Sequence, residues 1–532
     1  MTAVRQESGI VLVDAGMAFP DEEMPGIDLV LPDFTFLREH RDEFRGIILT
    51  HGHEDHVGAL PYLLREFNVP VYGTRLTLGL VRPKLAEHGI KKGDLREVKA
   101  GDTMKLGGFG LEFINVNHSI PDSVAVSLRT RAGIVVFSGD YKVDLTPIEG
   151  APMDLSRYAA LGEEGVLAYF GDSTNSERPG YVPSERVVGE AFNDIFERAE
   201  GRIIVASFAS HIHRVSQVVE AAKNHGRLVG VTGRSMIRNV QIARELGYLD
   251  LPQSMYVDQR DVNRVPDSDI VILTTGSQGE PLAALSRVAA GTHRTIEAGP
   301  GDVVIISAHP IPGNERGVSR TINSLMKRGA EVLYTPLNAV HVSGHAAQEE
   351  QKLVLSLLKP RFLVPVHGEF RHLTHHAQTA VSVGIPRDKI FVLENGDRIE
   401  FKDGEARKLD PVQAGMFLVD AGSVADTSES IMRERQQLSE EGMFIVVARI
   451  NAQTGELLGP PDVISRGFVD PQSQNGLVGE SIDVVTKTLQ RTASRRLTDW
   501  GELKKEIRKD LSSFLSQKSR KRPIILPLIV EV

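Results

Sequence analysis

The stretch Thr50–His56, which reads Thr-His-Gly-His-Glu-Asp-His, constrains this chain more than any other. It crowds His51, His53, Asp55 and His56 together directly after the apolar run Gly46–Leu49. On a strand that ends there, His51 and His53 point at one site. If a helix starts near Asp55, then Asp55 and His56 reach a second site close by. Imidazole nitrogens together with a carboxylate are what a borderline divalent cation binds. Such crowding is favourable around a cation, and the competing explanation is a polar surface loop. The stretch is read as a metal site.

Composition narrows the setting. The chain has 532 residues, 41% hydrophobic and 25% charged, an ordinary balance for a globular protein. That length suggests about three domains. No run approaches the roughly 18 apolar residues of a membrane span, and Met-Thr-Ala-Val-Arg-Gln-Glu lacks a signal peptide's apolar core. A cytoplasmic protein with no membrane partner is expected. Cysteine is absent, which excludes disulfides and thiolate metal sites. The net charge of −9 argues against non-specific coating of nucleic acid. It leaves room for a local basic channel, because counterion release depends on the groove and not on the total.

Further candidate ligands recur at the ends of apolar runs. Asp14 follows Ile10–Val13, His118 follows Leu111–Val116, and Asp140 follows Ile134–Phe137, with Val166–Phe170 a further buried strand. Strand ends gathered at one sheet edge are where such folds build sites. From Ser184, a plausible N-cap, helical stretches alternate with strands expected at Ile203–Ser207, Arg227–Val231, Ile270–Thr274, Val303–Ser307 and Val332–Tyr334. This reads as a βαβ domain with a parallel sheet. A ligand-type histidine, His367, returns after it, so the βαβ domain is expected to be an insertion. Residues 397–440 are polar and look like a connector. A last unit is expected to hold a strand at Met443–Ile450, a helix near Leu503–Leu515, a basic bend at Lys518–Arg522 and a strand at Ile524–Val530.

With these residues placed, the chain resembles the β-CASP nuclease branch of the metallo-β-lactamase superfamily, and within it the bacterial ribonuclease J family. The resemblance is carried by Asp14, His51-x-His53-x-Asp55-His56, His118 and Asp140. It also rests on Asp172 in Phe170–Asn175, His345 in His341–His345, His367 in Pro365–Glu369, Phe208–Arg214 and Thr275–Pro281. The implied fold is α/β: an αββα sandwich, an inserted β-CASP domain and a small α+β C-terminal domain. The expected boundaries are 1–183 and 341–427 for the metal domain, 184–340 for the insertion, 428–441 for a linker and 442–532 for an oligomerisation domain. Family members usually open with a strand and a Gly-rich segment ahead of the part that matches Met1–Val4. Its loss here would affect edge-strand pairing and part of the substrate groove.

The resemblance implies two divalent ions, zinc or manganese, roughly 3.5–4 Å apart. His51, His53 and His118 would hold one, Asp55, His56 and His367 the other, with Asp140 bridging. Asp14 would orient a ligand from behind. A hydroxide formed between the ions would attack the phosphodiester, and His345 with Asp172 would handle the leaving-group proton. Ser210, His341, Ser343, Gly344 and His345 would bind a 5′-monophosphate, and Arg214 and Gln278 would line the same cleft. The implied activity is a ribonuclease on single-stranded RNA, 5′-to-3′ exonucleolytic with endonucleolytic cutting. Its partners would be a homodimer or homotetramer mate and components of an RNA-degradation complex. The alternatives are an inactive RNA-processing scaffold, or a metallohydrolase acting on DNA or a small ester.

The apolar strand Ile524–Val530 would be an exposed edge in a monomer. Light scattering of the full chain against a chain ending near Thr427 is expected to show loss of the oligomer, and monomer masses for both would overturn that expectation.

Overall fold

The computed structural model describes all residues except 21–23, 281–282, 312, 421, 426–428, 455, 469–473, 496, 498 and 532. Pro281 of the Thr275–Pro281 segment and the expected boundary at 427/428 therefore lie outside the described residues. The chain forms two units, one of Met1–Ala18 with Leu31–Met416, the other of Phe19–Val30 with Phe417–Val532.

The larger unit is built first on two facing sheets. The five-stranded sheet runs Thr2–Gln6, Gly9–Val13, Phe44–Ile48, Val71–Gly73, Leu95–Glu97. The six-stranded sheet runs Phe362–Val366, Val166–Asp172, Ile134–Phe137, Val124–Arg129, Phe109–Asn115, Thr103–Leu106. Val11, Val13, Ile48 and Tyr72 of the first pack on Phe113, Val126, Phe137, Phe170 and Val364 of the second. Each such apolar side chain, once buried, contributes about 1.5–3 kcal/mol. Tyr158, Leu161, Val354, Leu358 and Ala377 from helices cover the outer face of the six-stranded sheet. This is the αββα sandwich expected from sequence.

Strand Phe362–Val366 pairs in parallel with Val166–Asp172, Val364 opposite Phe170. The chain thus leaves the sandwich after one strand and returns to fill the neighbouring place. The excursion forms a wholly parallel six-stranded sheet in the order Tyr256–Val257, Leu228–Val231, Ile270–Thr274, Ile203–Ala206, Val303–Ile306, Glu331–Tyr334. Phe192, Val215, Val218 and Val240 cover one face, and Leu285, Val288 and Leu325 the other. Strands buried on both faces explain why these runs are continuously apolar instead of alternating.

Two expectations need correction. The helix after Pro183 spans Arg186–Arg198 with Glu185, not Ser184, at its cap. The Ser184 hydroxyl donates to Asp144 Oδ2 at 2.9 Å and accepts only a long bond, 3.4 Å, from the Arg186 amide. The polar stretch 397–440 is not a plain connector. It holds a hairpin of Arg398–Lys402 and Glu405–Leu409, a strand Met416–Asp420 and a helix Glu429–Glu441. The hairpin turns on Asp403-Gly404, both at positive φ (52° and 76°), the Asp-Gly signal of a type I′ turn.

In the smaller unit, strand Met443–Ile450 lies between antiparallel Asp462–Arg466 and parallel Ile524–Glu531. Two helices, Gln474–Ser494 and Trp500–Ser519, supply Val485, Leu489, Ile507 and Leu511 to a core with Phe444 and Val446. The edge strand turns Leu526, Leu528 and Val530 outward, 39%, 43% and 45% exposed. Among the described residues no helix is long and apolar enough to cross a membrane.

Within the sandwich, Gly16 lets the strand that ends at Val13 lie against the ligand loop. A Cβ on Gly16 would fall 1.5 Å from the Asp55 carbonyl oxygen, so that loop must move to admit one. Gly16→Ala is expected to cost about 1–3 kcal/mol by urea unfolding and to lower metal content. Wild-type values of both would contradict this packing argument.

Candidate metal centre

The site grows from strand ends. Asp14 and the Thr50–His56 loop follow strands of one sheet, and His118, Asp140, Asp172 and His367 follow or end strands of the other. Ligand atoms fall into groups, each within 4.8 Å: His51, His53, His118 and Asp140; Asp55, His56, Asp140 and His367; Asp140, Asp172, His345 and His367. Asp140 belongs to all of them. Its Oδ2 lies 3.6 Å from His51 Nε2, 3.2 Å from His56 Nε2 and 3.7 Å from His118 Nε2. Its Oδ1 lies 3.7 Å from His367 Nδ1.

His53 Nδ1 sits 3.0 Å from His51 Nε2 and 3.1 Å from His118 Nε2. These converging ring nitrogens cannot all be satisfied by one shared proton, whereas a cation accepts all three lone pairs. His56 Nε2 is buried without a hydrogen-bond partner. The donor set therefore fits divalent cations.

Support comes from behind. Asp14 Oδ1 accepts from the Thr50 amide at 2.8 Å, and Oδ2 accepts from His56 Nδ1 at 2.8 Å. That bond fixes the tautomer which leaves Nε2 facing Asp140. His118 Nδ1 donates to the Gly344 carbonyl at 2.8 Å. A Cβ on Gly344 would stand 2.7 Å from that same nitrogen, so glycine is required there. Asp172 Oδ2 accepts from His345 Nδ1 at 2.8 Å, and Asp172 Oδ1 lies 3.3 Å from His367 Nδ1.

The loop from His341 to His345 lies beside this cluster. Asn175 Nδ2 donates to Ser343 Oγ at 2.9 Å and to the His345 carbonyl at 2.8 Å. The turn at Ser210 reaches the same edge through His211, whose ring faces His341 at 6.2 Å. His211, not Ser210, caps the following helix by accepting from the Arg214 amide.

Family models match most of the chain. A metallo-β-lactamase superfamily model covers residues 1–158, and one for the ribonuclease J β-CASP domain covers 200–325. A Zn-dependent metallo-hydrolase RNA specificity domain covers 331–391, and a ribonuclease J C-terminal domain covers 430–532. Ribonuclease J of Helicobacter pylori is 41% identical over 528 residues, 99% of this chain and 77% of that one. Ribonuclease J2 of Bacillus subtilis is 40% identical over 99% of this chain and 95% of its own. The chain belongs to the ribonuclease J family. Ribonuclease J of Thermus thermophilus, 41% identical over 100% of this chain and 92% of that one, agrees. A crystal structure of a protein of unknown function from Enterococcus faecalis V583 shares the fold, with a TM-score of 0.51 at 16% identity, over 76% of this chain and 96% of that one.

For this ribonuclease J family member, the family and the His/Asp cluster together support divalent-metal binding. Its electrostatics divide the site in two. Burial holds His51 and His118 well below the usual imidazole range. Burial also brings His53 down to about 4, against the pull of Asp55 and Asp140. Burial acts on His56 too, but the carboxylates of Asp140, Asp14 and Asp55 outweigh it and push this ring up to about 10. His367 is raised despite burial, chiefly by Asp140 and Asp172, and His345 likewise by Asp172 and Asp140. Without a cation, the surroundings of the first group favour neutral rings and those of the second favour protonated ones.

Some expected residues stand elsewhere. Arg214 and Gln278 are buried and direct their polar atoms at other parts of the protein. Gln278 holds a loop instead, donating to the His309 carbonyl at 2.8 Å and accepting from the Ile311 amide at 2.6 Å. Of the remaining histidines, His213 Nδ1 donates to the His118 carbonyl at 3.2 Å. His376 is buried against the Ser173 hydroxyl at 2.9 Å, while His372 and His375 face Glu177 at 3.6 and 3.5 Å. Thr174, 2.7 Å from His367 Nδ1, and Asn175 were missed as supports. Their signal was a hydroxyl and an amide two and three residues after Asp172.

Because ligation requires neutral imidazole, a cation at Asp55, His56 and His367 must displace protons. Metal affinity is expected to rise from pH 6 towards 9, with roughly one proton or more released per chain at pH 7. Calorimetry in buffers of differing ionisation enthalpy measures this, and uptake without proton release would contradict it.

Proposed function

We propose that the chain is a two-metal ribonuclease acting on single-stranded RNA, exonucleolytic from a 5′-monophosphate end and also capable of internal cutting. The observation that carries this reading is the ligand groups converging on Asp140 with the His345–Asp172 pair beside them. His51, His53, His118 and Asp140 would hold one ion, and Asp55, His56, His367 and Asp140 the other. The matched description of a Zn-dependent domain favours zinc, and manganese suits the same nitrogen and oxygen donors.

When bound, the cations supply Lewis acidity, activating water as the nucleophile and offsetting charge on the phosphate oxygens. The protein's residues do the rest. Asp14 keeps His56 in one tautomer. Asp172 engages His345 Nδ1 and helps keep that ring protonated, which leaves Nε2 to give its proton to the departing 3′-oxygen. Asn175 orients Ser343 and the His345 backbone. With Ser210, His341, Ser343 and Gly344 receiving the terminal phosphate, each cut would leave a new 5′-phosphate and the cycle could repeat. A small ester has no use for so long an inserted domain or for this pair, which disfavours the small-molecule hydrolase. The exposed apolar strand Ile524–Glu531 supports homo-oligomers.

The test uses 3′-labelled single-stranded RNA bearing a 5′-monophosphate or a 5′-triphosphate, with Zn²⁺ or Mn²⁺. Shortening from the 5′ end, faster on the monophosphate, is expected. His345→Ala should slow it by about 10²–10⁴-fold with metal retained, and Asp55→Ala with His56→Ala should abolish it. Intact RNA with metal bound would return the scaffold reading.

A further inference from the structure

The segment Phe208–Arg214 ends in an arginine for which the cleft has no direct use. Arg214 lies in the first turn of helix Ile212–Asn224 and is 0% exposed. A guanidinium is buried favourably only when its planar fork of donors is satisfied. Here Nε donates to Gln217 Oε1 at 2.9 Å, and Nη2 donates to Glu185 Oε2 at 2.7 Å. Nη1 donates to the Val340 carbonyl at 2.7 Å and also to the Ser307 hydroxyl. The Ser307 hydroxyl donates in turn to that same Val340 carbonyl at 2.7 Å. Gln217 Nε2 donates to the Glu185 backbone carbonyl at 2.6 Å, and the Phe192 ring lies 5.8 Å from the guanidinium carbon.

One side chain therefore joins segments far apart in sequence: the start of helix Arg186–Arg198, the residue after strand Val303–Ile306, and Val340. Val340 immediately precedes His341. The loop from His341 to His345 is tied to the sandwich near its far end, through His118 to Gly344 and Asn175 to Ser343. Arg214 ties its near end to the turn that carries Ser210. Ser210 sits in the inserted domain and the His341–His345 loop opens the return to the sandwich; the fork braces Val340, the last residue of the insertion, immediately before that loop.

We propose that Arg214 is a positioning residue for the 5′-phosphate pocket: it sets the His341–His345 loop relative to Ser210 and so governs preference for a monophosphorylated end without touching RNA. The proposal rests on the pocket assignment made above. A lysine cannot reproduce the fork, because its point charge can pair with Glu185 yet gives up the bonds to Val340 and Ser307, which keep only the bond between themselves. Displacing a binding group by about 1 Å is enough to cost one to two orders of magnitude.

The experiment compares wild type, Arg214→Lys and Ser307→Ala on two RNAs of one sequence, one with a 5′-monophosphate and one with a 5′-hydroxyl. Steady-state kinetics, metal content and circular dichroism are read together. For Arg214→Lys, KM on the monophosphorylated RNA is expected to rise about tenfold or more, with kcat on the hydroxyl RNA and metal content unchanged. Ser307→Ala should move in the same direction by less. It leaves the Arg214–Glu185 pair intact, so it decides the matter if the lysine variant does not fold. Wild-type preference in folded variants would overturn the proposal. Equal loss on both RNAs would do so too, since it marks a merely structural role. If wild type itself shows no preference for the monophosphate, the pocket assignment fails and this proposal falls with it, an outcome separable from the other two.

Discussion

The carboxylate of Asp140, 2% exposed, is the point around which the rest of the larger unit is arranged. An isolated buried carboxylate is costly, and the penalty falls only if partners surround it. Here the partners are the rings of His51, His56, His118 and His367, supplied by strand ends from both sheets and by the returning segment. His53 Nδ1 approaches His51 and His118 Nε2 at 3.0 and 3.1 Å, closer than either comes to Asp140, a crowding that cations relieve by taking up the lone pairs. The sandwich places these strand ends at one edge, and the crowding at that edge dictates the chemistry.

Crowding of this kind needs a stiff surround. Asp14 and His367 both adopt φ of 59° without being glycine, a conformation that costs roughly 1–2 kcal/mol for an L-residue. Each is held there by directed bonds: the Asp14 amide donates to the Ile48 carbonyl at 2.8 Å, and Thr174 reaches His367. Gly16 and Gly344 do the complementary work, letting backbone approach a ligand where a Cβ would collide. Strain at one ligand, His367, and at the supporting Asp14, with close contact at two glycines, fixes the ring positions, so little reorganisation is left for the moment of binding.

The inserted domain meets this edge through the His341–His345 loop and the turn at Ser210. Loops at the carboxyl ends of parallel strands commonly build sites, and here the joint is filled by buried charge rather than by apolar contact alone. Lys142, two residues after Asp140, sits 3.6 Å from Asp144 and 4.0 Å from Glu185. Buried ion pairs of this sort add little net stability, but they penalise any other register of the two domains.

Much of this was legible in the sequence. Chemistry showed itself through residue types that have few other uses in such density, so the metal cluster, the strand ends that bear it and the insertion followed from Thr50–His56, Asp140 and His367. The parallel sheet followed from its doubly buried, continuously apolar strands. The hairpin at Asp403-Gly404 was readable but hidden by the polar composition around it. Arg214, Gln278 and Ser184 were not readable in their roles, because each acts through partners 29 to 126 residues away. The sequence alone determined which ligands exist and which secondary elements carry them, since local pattern and donor type suffice for that. Tertiary structure decided which imidazole pKa values fall and which rise, and which polar side chains face the His/Asp cluster and which hold a loop, because burial and distance to Asp140 exist only once the sheets have come together.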